Sequence, residues 1–147
     1  IVNINKNFWF ENLVLMFQKE VADRIIAKSN TSKYGRLSIL SNWKLDIKKI
    51  LDIKPQSFSP RPKVDSSLLL FTPKEKFFKL QNAKNLEMIT RIFFSQRRKM
   101  LKKPFNQIFK NATELSKRYN IDLNLRPQNL EPETYFKLVK EYEDLRG

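Results

Sequence analysis

The stretch PQSFSPRPKVDSSLLLF at 55–71 constrains this chain more than any other. Pro55, Pro60 and Pro62 each fix φ and remove a backbone donor, so residues 58–63 fit neither a helix nor a central strand. The serine, leucine and phenylalanine run behind them, at 66–71, reads as a buried strand. A stiff, basic, aromatic-tipped loop therefore stands directly in front of a core strand. What that loop presents, and to whom, has to come from the rest of the chain.

With 147 residues, 41% hydrophobic and 12% aromatic, the chain has the apolar mass to bury a core. It contains no cysteine and no histidine. A disulfide scaffold, a thiolate zinc site, a cysteine nucleophile, a Ser-His-Asp hydrolase and imidazole acid–base chemistry are thereby excluded, and no metal site is expected. The two glycines, Gly35 and Gly147, cannot write a glycine-rich nucleotide loop. No apolar run reaches the roughly 18 residues of a membrane span and no signal peptide is visible, so a cytoplasmic protein is expected. The formal net charge is +14. A field of that sign points to a polyanion, most often nucleic acid. An anionic membrane surface is the lesser alternative, and lysine-rich composition alone would leave a merely solvated basic surface.

Along the chain, LVLMF (13–17) reads as a fully buried strand and QKEVADRIIAK (18–28) as an amphipathic helix with Val21, Ala22, Ile25 and Ile26 on one face. RLSILSNWKL (36–45) is predicted as a second helix and DIKKILDI (46–53) as a strand. VDSSLLLFTP (64–73) is a strand that pairs with it as an antiparallel hairpin at the sheet edge. After about residue 80 the pattern turns helical: NLEMITRIFFSQRRKML (85–101), then ATELSKRYN (112–120), then EPETYFKLVKEYEDL (131–145) with Pro132 in its first turn. Pro104 either stops the first of these or starts a new helix. Two or three strands with two helices do not make a sheet covered on both faces. The chain is therefore expected to be the C-terminal piece of a larger α/β protein, with a boundary near 74–84.

Four blocks, LVLMFQKEVADRIIAK, YGRLS, FSPRPKVDSSLLLF and FFSQRRKML, taken in this order, resemble the ribosomal RNA adenine dimethyltransferases, relatives of the erythromycin-resistance rRNA methylases. The resemblance spans roughly residues 10–105. It implies an α/β fold: residues 1–79 as the C-terminal part of a Rossmann-like methyltransferase domain, and residues 80–147 as a small all-α, rRNA-binding domain. It implies S-adenosylmethionine as cofactor and dimethylation of two adjacent adenines in small-subunit (16S) rRNA as the activity. The partner would be the assembling small ribosomal subunit, met by a monomer with no membrane association. The family's glycine-rich loop, ribose-binding acid and Asn-Leu-Pro-Tyr motif would all precede residue 1, with the helix after that motif running into residues 1–5. This chain alone is then expected neither to bind the cofactor well nor to turn over.

The spacing leaves Phe58 two roles, a plug for the sheet edge or a platform for a base; the resemblance implies the platform, stacked on the target adenine. Arg61 and Lys63 would hold nearby phosphates, Pro60 and Pro62 would stiffen the loop, and Asp65 and Ser66 would brace it. On a continuous 85–101 helix, Leu86, Ile89, Phe93 and Met100 form an apolar stripe, opposed by Arg91, Ser95, Arg98 and Lys102 with Lys99 beside them and Lys103 following. No acid lies between Glu87 and Glu114. That stripe suits either an RNA backbone or a plain basic surface. Arg97 falls inside the apolar stripe and is expected to join the two pieces through a carboxylate. Glu20 and Asp23 read as structural, Glu20 pairing with Arg24, because methyl transfer to a neutral amine needs positioning more than a strong base. Two rivals stay open: a non-catalytic RNA-binding or ribosome-assembly module, and a DNA adenine methyltransferase. The residues encoded upstream would decide between an enzyme and a binding module.

Overall fold

The structure, a computed structural model, describes residues 10–146. The helix expected to reach residues 1–5 lies outside the described residues, as does Gly147.

The first strand, β1 (Leu13–Gln18), runs straight into helix α1 (Lys19–Ile26). Helix α2 (Arg36–Asn42) follows, shorter than expected because strand β2 (Leu45–Ile53) already begins at Leu45. A 3-10 turn at Pro55–Ser57 opens the proline loop, and β3 (Ser66–Pro73) closes it. The sheet order is β1-β3-β2, antiparallel throughout. The expected hairpin is present, with β3 central and β2 at the edge.

The expectation of a fully buried first strand is overturned. Leu13, Leu15 and Phe17 pack with Ala22, Ile25, Leu69 and Phe71 beneath α1. Val14 and Met16, on the opposite face, are 50% and 52% exposed. Successive side chains alternate between sheet faces, and among the described residues α1 covers only one of them.

Helix α3 (Ala83–Phe94) is also shorter than the 85–101 pattern suggests. The Ser95 hydroxyl donates to the Ile92 carbonyl at 2.8 Å, and the chain turns through 95–99. That turn lets Leu101, rather than Met100, enter the core. Leu101 is fully buried, Met100 is 55% exposed, and the Leu101 N–H donates to the Leu125 carbonyl. Helix α4 (Lys102–Ile108) then starts with Pro104 in its first turn, which places Phe105 edge-on to Phe93 at 5.6 Å between ring centroids. Helices α5 (Ala112–Arg118) and α6 (Pro132–Arg146) complete the bundle.

The larger core joins Leu86, Ile89, Phe93, Leu101, Phe105, Leu115, Tyr135 and Leu138 to Tyr34, Ile39 and Trp43 from the segment around α2. Both buried aromatic tips from this segment find acceptors: the Trp43 indole donates to the Phe78 carbonyl at 2.6 Å and the Tyr34 hydroxyl to the Leu130 carbonyl at 2.7 Å. Glu143 on α6 is 4% exposed. Its carboxylate accepts the Gln81 and Asn82 backbone N–H groups and the Asn85 amide. It thus satisfies donors at the start of α3 that the helix itself cannot. Glu143→Ala strands those donors in the interior and should lower unfolding stability by about 2–4 kcal/mol. Urea titration checks this, with Glu143→Gln expected to fall between alanine and wild type because its amide keeps one acceptor.

Candidate functional site

The proline loop, 54–65, leaves one end of the sheet between Ile53 and Ser66, which face each other across β2 and β3. Inside it, the Ser57 N–H donates to the Lys54 carbonyl and the Phe58 N–H to the Pro55 carbonyl. Phe58 is half-buried, and among the described residues no other ring packs against it. Arg61 and Lys63 are exposed beside it, Pro60 is exposed and Pro62 half-buried. The Asp65 side chain points to solvent, and its carbonyl accepts the Lys19 N–H at 2.8 Å, so Asp65 braces the loop through its main chain.

A polar cluster that the sequence reading missed lies at the foot of this loop. The Ser67 hydroxyl donates to Asp52 at 2.6 Å, and Lys49 and Lys19 approach the other carboxylate oxygen at 3.3 and 3.8 Å. The Ser67 hydrogen bond, reinforced by the two lysines, holds the Asp52 carboxyl below the usual carboxylate range. Lys19 also pairs with Asp23 at 3.2 Å, and Lys33 meets Asp23 at 3.4 Å. Glu20 pairs with Arg24 at 3.2 Å on the exposed side of α1, the structural role expected of it. Nothing in the string DIKKILDI marks Asp52, because its partner is set by strand register.

The basic residues do not form one helical stripe. Arg91 is on α3, Arg98 and Lys99 on the 95–99 turn, and Lys102 and Lys103 on the first turn of α4. All five are exposed, and among the described residues none makes an ion pair. Arg97 parts company with its neighbours. Its guanidinium donates to the carbonyls of Ser32 and Tyr34 and to the Gln128 amide oxygen, at 3.0, 2.9 and 3.3 Å. It joins the 29–35 loop to the helical part, as expected, but through neutral oxygens rather than a carboxylate. Those oxygens are available because the turn swings Arg97 off the apolar face.

The model of the family described as "Ribosomal RNA adenine dimethylase" matches residues 3–144. The chain belongs to the ribosomal RNA adenine dimethylase family. It is 79% identical over 147 residues to the "Ribosomal RNA small subunit methyltransferase A" of Pelagibacter ubique, all of this chain against 56% of that protein. It is 42% identical to the protein of the same name from a Wolbachia of Drosophila simulans, covering 97% of this chain and 52% of that one. The chain thus spans about half the length of the curated relatives it matches. A dimethyladenosine transferase from Plasmodium falciparum superposes with a TM-score of 0.76 at 29% identity, over 96% of this chain and 61% of that one. The 23S rRNA methyltransferase ErmE, at 16% identity and TM-score 0.61 over 90% and 55%, shares the fold. The α/β class, with the sheet followed by helices, is the one expected from the sequence.

Membership in a methyltransferase family implies S-adenosylmethionine. Among the described residues no glycine-rich loop is present to cradle it. Gly35, the one glycine among them, is extended at φ −171°, and a Cβ there would meet nothing within 4 Å. It makes no close backbone approach of the kind a nucleotide loop needs. Among the described residues no helix is long and apolar enough to cross a membrane.

The different fates of Arg97 and Arg98 are measurable. Arg97→Ala removes three hydrogen bonds to two loops and should destabilise the fold by about 1–3 kcal/mol. Arg98→Ala, at an exposed site, should stay within about 0.5 kcal/mol of wild type. Thermal melts of the two variants side by side check the contrast.

Proposed function

We propose that this chain is the base-presenting and RNA-binding portion of an enzyme that dimethylates the exocyclic amine of two adjacent adenines in small-subunit (16S) rRNA. The observation that carries this reading is the 54–65 loop: a half-buried Phe58 with no ring partner among the described residues, flanked by exposed Arg61 and Lys63. The names of the relatives, rRNA small-subunit methyltransferases, support it. Residues 1–79 belong to the methyltransferase domain and residues 80–147 form the rRNA-binding domain, with the segment around α2 seated in the helical core. S-adenosylmethionine is held mostly by residues upstream of this chain. The partner is the assembling small ribosomal subunit, met in the cytoplasm by a monomer.

The chemistry explains the residues. Adenine's exocyclic amine is a poor nucleophile because its lone pair is delocalised into the ring. The base must therefore leave its stack and be held in one orientation. A flat ring does this without reading sequence, and such stacking contributes about 1–3 kcal/mol per base. Arg61 and Lys63 contact phosphates beside the extruded nucleotide. Arg91, Arg98, Lys99, Lys102 and Lys103 meet the rRNA backbone further along, where shape and charge dominate recognition.

In the full-length enzyme, Phe58→Ala should slow single-turnover methylation about ten- to a hundredfold, the equivalent of the lost stacking. Its melting temperature and cofactor affinity should stay at wild-type values, and Phe58→Trp should keep much of the rate because a π-face survives. A folded Phe58→Ala enzyme with wild-type rate would refute base holding; a lower melting temperature would make Phe58 a plug. Replacing Arg98, Lys99 and Lys102 together with alanine should weaken binding to the small ribosomal subunit and flatten its salt dependence. Each lost phosphate contact should reduce the slope by about one. An unchanged slope would assign these side chains to solvent.

A further inference from the structure

The foot of the Phe58 loop is built with more care than strand pairing requires. The β2–β3 register runs Lys49↔Leu69 and then Leu51↔Leu68, so Ile50 is an extra residue in β2. In a regular ladder Ser67 would face Leu51. The bulge brings Asp52 opposite Ser67 instead. On the same sheet face Leu69 and Phe71 are buried and apolar. Ser67, equally buried, places a hydroxyl where an apolar side chain would pack, and a buried hydroxyl must find a partner. It finds Asp52 at 2.6 Å.

The second oxygen of Asp52 faces Lys49 and Lys19. Lys19 ties the other end of the loop, because its backbone N–H donates to the Asp65 carbonyl. The departing strand, the returning strand and the start of α1 are thereby fastened to one another within two residues of where the loop begins and ends.

We propose that Asp52 is a positioning residue: acting through Ser67 and Lys19, it sets the direction in which the 54–65 loop presents Phe58 to the extruded base. The inference rests on the reading of Phe58 as a base platform. A displacement of about 1 Å at such a platform is enough to cost up to a hundredfold in rate. A clamp that fixes the loop's exit therefore acts on the chemistry without touching substrate.

The test uses the full-length enzyme with small-subunit substrate. Asp52→Ala should raise hydrogen exchange of the Ser57 and Phe58 amides about tenfold while amides of β1 and β3 keep their protection. It should lower kcat about tenfold with KM unchanged. Asp52→Asn keeps an acceptor for the Ser67 hydroxyl and should recover most of the rate. The double variant Asp52→Ala/Phe58→Ala should be no slower than Phe58→Ala alone, since a platform that is gone cannot be misaimed. Multiplicative losses in the double variant, unchanged loop exchange, or a kcat loss equal to the unfolded fraction would each overturn the proposal. If Phe58→Ala alone keeps the wild-type rate, base holding has failed. Loop exchange in Asp52→Ala then still decides whether the clamp exists, and aiming of a base is ruled out.

Discussion

Tyr34, Ile39 and Trp43 are buried in a core whose other walls come from residues 80–139, and the relation between sheet and helices depends on that packing. An aromatic side chain removes about 150–250 Å² from water, worth several kcal/mol at about 25 cal/mol per Å². Each polar tip is met by a carbonyl from beyond residue 77. Helix α2 sits between the sheet and the helical bundle and contacts α1, β2, α3 and α6. Loosening it would weaken the joint between the aromatic loop and the basic turn, because no other helix or strand packs on both parts to the same extent.

Arg97 extends the same joint at the surface. It reaches the carbonyls of Ser32 and Tyr34, while the Asn30 N–H donates to the Gln128 carbonyl and the Asn129 amide donates to Asn30. Two loops that would otherwise move independently are fixed beside the 95–99 turn. Among the described residues its neighbours Arg98 and Lys99 make no such side-chain bonds and are exposed. Adjacent cations in one motif thus have opposite surroundings because the turn aims one inward and the next outward.

The sheet end shows a similar division of labour. Apolar residues on one face bury α1, and where the strands give way to the loop the residues become polar and paired. The Asp52, Ser67 and Lys19 contacts lie between the core and the half-buried Phe58. The other sheet face carries Val14 and Met16 into the open among the described residues, and the chain spans about half the length of its curated relatives.

Much of this was legible in the residues. The order of strands and helices and the stiffness of the 55–63 segment follow from periodicity and proline chemistry, which are local. The proline loop, the Gln-Arg-Arg-Lys run and the order of the blocks were enough to reach the family. What the sequence could not decide were matters of register and direction. The single covered face of β1 depends on which element packs on the sheet. The end of α3 at Phe94 depends on Leu101 and Phe105 having to enter the core that Phe93 already occupies. The partners of Arg97 and Glu143 lie 31 to 65 and 58 to 62 residues away along the chain, and Ser67 lies 15 residues from Asp52. For Asp52 the choice turned on one bulged residue. A short-range pattern has no means of encoding a contact that exists only after the strands have paired.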